Sequence, residues 1–241
     1  MSLLYYIIMN IGDSMGHEER KRQEKEIRRK DIIDAAERVF FSEGYENASM
    51  DEVAKEAEFS KRTVYVYFSS KEQIYFEIMI RGYRLLIERI EKSFQENRPQ
   101  HALEELRCIF FTFFGFSEDY PEYFKAIMEY ETEDSNGRTG VEDESKAECY
   151  RLGEQIFGYL SHALQKGVEE GSLHKEFENE KAALTLWACT VGIFNTGEKK
   201  GDYLKNYHQV DPKKFVTESF DMIMRLISRN GVDRYETESN D

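Results

Sequence analysis

Residues 31–76, DIIDAAERVFFSEGYENASMDEVAKEAEFSKRTVYVYFSSKEQIYF, decide how this chain folds. Ile32, Ala36, Val39 and Phe40 recur on one helical face, and Gly44 stands where a left-handed C-terminal cap would end that helix. Ser49-x-x-Glu52 is a capping box: the serine accepts from a free backbone N–H and the glutamate reaches back. It opens a second helix whose inward side is Val53, Ala54 and Ala57. Ser60 caps a third helix, expected from about Lys61 to Phe68, with Val64 and Phe68 inward. Helices two and three are separated by a turn of about four residues, the spacing of a helix-turn-helix whose second member can enter a DNA major groove.

Outside this stretch the chain is long and acidic. Over 241 residues the net charge is −14, with 40% hydrophobic and 14% aromatic residues, enough to build a core. Residues 20–71 hold 12 Lys/Arg against 11 Asp/Glu, whereas residues 72–241 hold 21 against 33. An acidic body repels phosphate, which leaves the N-terminal module as the DNA-facing surface. Three prolines and almost no β-branched runs bounded by turns predict an all-α protein.

Cys108, Cys149 and Cys189 are scattered and odd in number, which reads as reduced thiols of a cytoplasmic protein, each a small core residue. The five histidines show no ligand spacing, so neither a metal nor a cofactor is expected. The apolar run Leu3–Met9 is too short to span a bilayer. No catalytic fingerprint such as GxSxG, a P-loop or a dinucleotide motif occurs, so an enzyme is not expected.

Six more helices are expected, about nine in all. Ser70 caps a fourth over about 71–97, and Arg98-Pro99 stops it. A fifth, near 100–118, contains IFFTFFGF (109–116), apolar nearly all round and therefore central. Pro121 starts a sixth, ending near 131. Residues 132–145 read as a mobile loop, and helices follow over about 146–170, 178–196 and 212–229. The expected organisation is an arm-like, poorly ordered segment over 1–22, a helix-turn-helix domain over 23–71, a helical domain over 72–231, to which the family resemblance given below adds a regulatory, ligand-binding and dimerising role, and a frayed tail over 232–241.

Candidate DNA-contacting residues are Ser49, Ser60, Lys61, Arg62, Thr63, Tyr65, Tyr67 and Lys71. Lys61, Arg62 and Thr63 occupy the first turn of the third helix, where side chains and free N–H groups can meet bases and phosphates. Arg62 suits a bidentate contact to guanine. The tyrosines can offer hydroxyls to phosphate, and Lys71 a charge at the start of the fourth helix.

At these positions the chain resembles the TetR family of one-component transcriptional regulators. The residues that carry the resemblance are Ala35-Ala36, Phe40, Gly44-Tyr45, the Ser49-led helix, Val53-Ala54, Ala57, Ser60, Tyr65-x-Tyr67-Phe68 and Ser70-Lys71, within about 27–80. The resemblance implies a homodimer on a pseudo-palindromic operator, released when a small molecule binds the C-terminal domain, with repression as the family default. It also implies that the last two helices pair with those of a second subunit. Candidate interface residues are Ala188 and Gly192 on one helix and Phe215, Met222 and Leu226 on the last. Two departures stand out. Glu58 occupies the turn where the family often has glycine, and Val66 stands where a polar phosphate contact is common.

Ordinary core packing accounts for most of the aromatic residues. Phe110, Phe113, Phe114, Tyr123, Phe124, Glu129 and Trp187 are the candidate ligand contacts, and the expected effector is hydrophobic or amphipathic. The alternative is a nonspecific or architectural DNA-binding protein without an effector, to which the acidic body and Glu58 point.

Overall fold

The computed structural model describes residues 3–132, 144–178 and 180–229, with side chains described from residue 16 and outside 130–132. It is all-helical: α1 (Leu3–Glu43), α2 (Met50–Glu56), α3 (Lys61–Tyr67), α4 (Lys71–Asn97), α5 (Ala102–Asp119), α6 (Pro121–Thr132), α7 (Glu144–Glu169), α8 (Glu180–Lys199), α9 (Gly201–His208) and α10 (Pro212–Ile227). One 3-10 turn, Lys175–Phe177, and an isolated bridge between Leu173 and Ser228 complete the backbone, and no strand occurs among the described residues. The chain divides into two compact units, Met1–Ile78 and Met79–Asp241. The division falls inside α4, one continuous helix that contributes residues to each.

Two expectations change here. The segment 1–22, expected to be arm-like and poorly ordered, is helical from Leu3, so that α1 is 41 residues long. The run EERKRQEKEIRRK consists of good helix formers without Gly or Pro, and it is laced by Glu19–Arg22 (2.9 Å) and Lys30–Asp34 (2.6 Å) pairs. The second change is α9, which the sequence reading did not find. Only Leu204 of its eight residues is buried, so no apolar stripe announces it. The expected loop over 132–145 and the tail over 232–241 fall, apart from the loop's two ends, outside the described residues.

In the first unit the core is Ile32, Ala35, Ala36, Val39 and Phe40 of α1, Val53 and Ala54 of α2, Val64 of α3, Phe68, and Ile74 and Phe76 of α4. Each large buried side chain of this kind stabilises by about 1.5–3 kcal/mol. Gly44 takes φ 84° and its N–H donates to the Phe40 carbonyl at 3.0 Å, ending α1 as the sequence predicts.

The second unit is built around α5, which packs against α6 and α7 and buries Leu106, Ile109, Phe110, Phe113 and Phe116. Phe110 stacks on Phe220 of α10 at 3.8 Å between ring centroids and meets Phe194 of α8 at 5.6 Å. Gly197 lets α8 and α10 approach closely, since a Cβ there would lie 2.6 Å from Val216 Cγ2. The thiols differ in setting: Cys149 is buried and Cys108 half-buried, as core residues would be, but Cys189 is exposed on α8. Burial pushes the Cys108 thiol upward.

Candidate nucleic-acid interface and effector cavity

The capping chemistry that sets α2 and α3 is present. Ser49 caps α2, with the Glu52 N–H donating to Ser49 Oγ (3.3 Å) and the Ser49 N–H donating to Glu52 Oε2 (2.7 Å). The bonds from Ser49 hold the Glu52 carboxyl below its ordinary range. Ser60 caps α3, accepting from the Thr63 N–H at 3.1 Å, and its hydroxyl shares a 2.8 Å hydrogen bond with Thr63 Oγ1. The turn between the two helices closes as a Schellman motif. The Phe59 N–H donates to the Ala54 carbonyl (2.9 Å) and the Glu58 N–H to the Lys55 carbonyl (3.1 Å). That geometry puts Glu58 at φ 56°, the left-handed region.

The helix α3 is seven residues long, and only Val64 is fully buried. Arg62 is exposed and makes no ion pair or hydrogen bond among the described residues. Tyr65 and Val66 are 47% and 72% exposed, while Thr63 and Tyr67 are half-buried. Lys61 is exposed, but its ammonium donates to Asp51 Oδ1 at 2.6 Å, which raises its pKa. A phosphate would have to compete with that carboxylate.

Lys71 differs most from expectation. Read from the sequence, it is a free charge for phosphate. In the structure its ammonium donates to the carbonyls of Tyr45 (2.6 Å), Ala48 (2.9 Å) and Glu46 (3.4 Å) and sits 4.3 Å from the Tyr45 ring centroid. An ammonium has three protons, and the turn between α1 and α2 accepts all of them. The lysine therefore ties the start of α4 to that turn. Sequence reasoning missed this role because a lysine's stem reaches carbonyls more than twenty residues away, without a local signal. Arg29 acts similarly: it pairs with Glu77 at 2.6 Å and lies 5.2 Å from the centroid of the Phe68 ring.

The residues expected to hold an effector do not come together. A cavity of about 300 Å³ opens among α5, α6, α8 and α10, walled by Phe114, Phe124, Phe194 and Val216, with Glu118, Glu198 and Lys213 as charged lining residues. Of the seven candidates only Phe114 and Phe124 line it. Phe110 is stacked on Phe220, and the buried Phe113 meets the half-buried Trp187 in a T-shaped contact at 5.6 Å, so Phe110 and Phe113 are core. The Tyr123 ring packs on the Gly82 position of α4. Glu129 is half-buried outside the cavity lining. Phe194, Pro212 and Val216 were missed, because lining a gap between helices depends on packing offsets that periodicity does not encode. Lys213 pairs with Glu118 at the cavity, which raises the lysine's pKa.

The residues expected to form an interface lie on two open faces. On α8, Ala188 and Gly192 are exposed together with Leu184, and a Cβ on Gly192 would meet nothing within 4 Å. On α10, Met222 and Leu226 are 58% and 65% exposed and Phe215 is half-buried.

Residues 32–78, which span the two capped helices and the Lys71 tie, match the family model for bacterial regulatory proteins of the tetR family. Over these residues the chain matches the TetR family. The uncharacterized HTH-type transcriptional regulator YhgD of Bacillus subtilis is 23% identical over 173 residues, 72% of this chain and 85% of that protein. Two solved structures share the fold. One is AibR in complex with isovaleryl coenzyme A and operator DNA, with a TM-score of 0.58 and 19% identity over 83% of this chain and 97% of that one. The other is the transcriptional regulator FadR of Bacillus subtilis in complex with stearoyl-CoA, with a TM-score of 0.56 and 21% identity over 80% and 96% of the two chains. The matched domain is that of helix-turn-helix transcription regulators, and the relatives named here are described as regulators. No helix among the described residues is long and apolar enough to cross a membrane.

Proposed function

We propose that this regulator acts as a homodimer that reads a pseudo-palindromic operator through α3 and leaves it when a small hydrophobic or amphipathic molecule binds the helical body. The observation that carries this reading is the first turn of α3, capped by Ser60, with Arg62 exposed, unpaired among the described residues, and flanked by Thr63 and Tyr65. A guanidinium so placed has the fork geometry that matches guanine O6 and N7. The exposed apolar stripes of α8 and α10 support the dimer, since a second copy of the same stripes would cover them. The apolar cavity walls support an effector with a hydrocarbon part. Because two structural neighbours were solved with an acyl-CoA, acyl thioesters are the class to test first. Release would follow from a ligand preferring the DNA-incompetent population.

A nonspecific or architectural role is the second reading, favoured by Glu58 and by the engagement of Lys61 and Lys71 within the head. A fluorescence-anisotropy titration on DNA flanking the protein's own gene, with excess random duplex as competitor, separates the two. Competitor-resistant binding supports operator reading, and binding erased by competitor supports the second reading. Arg62→Ala should cost about 1–3 kcal/mol on the operator and relax preference at one base pair per half-site. An equal loss on every sequence would remove Arg62 from base reading.

A further inference from the structure

The helix-turn-helix lacks the charge that a phosphate-binding head needs. Residues 31–71 hold five Lys/Arg against nine Asp/Glu. Of those five cations, Lys71 is spent on three carbonyls, Lys61 on Asp51 and Arg38 on Glu56. Duplex DNA presents a dense line of negative charge, and neutralising phosphates supplies most of the sequence-independent affinity. The attraction must come from elsewhere in the chain.

Immediately before this stretch, residues 20–30 hold seven Lys/Arg against two Asp/Glu, the reverse of the balance of the whole chain. They are helical, in the part of α1 that precedes the family match. Lys21, Lys25 and Arg28 follow one another at i, i+4 and i+7, so they share one face. All three are exposed, and none has an ion pair or hydrogen bond among the described residues. The same line continues at i+11 into Ile32 and then Ala36 and Val39, the buried face of α1 where α2 and the rest of the head cover it. The cationic stripe thus looks toward the side of α1 on which the helix-turn-helix lies, but beyond its edge. At 1.5 Å per residue, Lys21 stands roughly 16 Å before Ile32 along the axis. The partly screened Arg29, by contrast, is turned to Glu77 and Phe68.

We propose that the overhanging part of α1 is a second DNA-binding surface, in which Lys21, Lys25 and Arg28 grip the phosphate backbone of the duplex beside the half-site read by α3. This inference rests on the DNA-reading function proposed above. It assigns the nonspecific share of affinity to the overhang and the sequence-specific share to α3.

The test uses the full chain carrying Lys21→Gln, Lys25→Gln and Arg28→Gln together, with K21R/K25R/R28K as the charge-keeping control. The probes are the DNA flanking its own gene and a random duplex of equal length, each titrated over a series of salt concentrations. Losing three phosphate contacts should flatten the slope of log K against log salt by about 2–3 and weaken both probes alike, by tenfold or more at roughly 0.15 M salt. The preference between the probes and the thermal unfolding midpoint should not move, and the control should bind like the unaltered chain. An unchanged slope in the glutamine variant, or a changed preference between probes, overturns the inference while leaving the function of α3 standing. Failure of the unaltered chain to bind either duplex at low salt overturns both.

Discussion

Glu58 sits at φ 56° because the Schellman turn between α2 and α3 needs a left-handed residue there, and a side chain with a Cβ occupies that region at a cost. Glu58→Gly should stabilise the chain by about 0.5–1 kcal/mol, the strain relieved less the extra freedom of glycine in the unfolded chain. A higher midpoint in thermal unfolding checks it, and a lower midpoint would mean that the carboxylate holds a contact worth more than the strain. Lys71 makes the opposite case, a costly residue to lose. Removing its ammonium leaves the Tyr45 and Ala48 carbonyls without their charged donor, so Lys71→Ala should lower stability by about 1–3 kcal/mol. The salt dependence of DNA binding by the still-folded protein should stay as it was, because the Lys71 ammonium is engaged by the carbonyls of Tyr45, Glu46 and Ala48. A flattened salt dependence in titrations below the unfolding midpoint would return Lys71 to the phosphate contacts.

At the scale of elements, what the sequence discloses is what local chemistry determines. The Ser49 box, the Ser60 cap, Gly44 and Pro121 mark ends of α1, α2, α3 and α6 because each acts within four residues of itself. The overhang of α1 and the short α9 were not legible: residues 18–30 are charged and offer no apolar stripe, and α9 buries a single leucine. The cavity was half legible. Phe114 and Phe124 are aromatic and central, but which aromatics border a gap depends on how α5, α8 and α10 interlock. Long-range ion pairs belong to the same illegible class. Glu148 of α7 accepts from Arg151 of its own helix (2.7 and 2.9 Å) and from Arg84 of α4 (3.0 Å), and these guanidiniums hold its pKa near 2, below its ordinary 4.5. A depressed carboxyl stabilises the fold fully above its unfolded pKa and loses that contribution as pH falls through the folded one. Glu148→Gln should therefore lower the thermal midpoint at pH 6, with the gap to the unaltered chain closing between about pH 4.5 and pH 2. A gap of constant size across that range would mean that the glutamate acts by packing rather than charge.

For the whole molecule, the proposed operator reading asks more of α3 than one copy of that helix offers. The reading helix is seven residues long, and its exposed first turn contains a single cation not engaged among the described residues. Two heads fixed on one duplex multiply their affinities through effective concentration, but only if something fixes them. Leu184, Ala188 and Gly192 on α8 and Met222 and Leu226 on α10 are apolar or small and exposed, and α8 packs directly on α10. A two-fold pairing would bring the same residues of a second chain against them. Leu226→Glu places a carboxylate at the most exposed apolar position of the α10 stripe, where the single chain tolerates it and a paired one would have to bury it. Sedimentation velocity should then show a monomer for Leu226→Glu and a dimer for the unaltered chain, with the thermal midpoint at low protein concentration little changed. Operator affinity should fall by roughly a hundredfold or more, toward that of one head on a half-site. A variant that stays dimeric and binds as before would move the interface off α10.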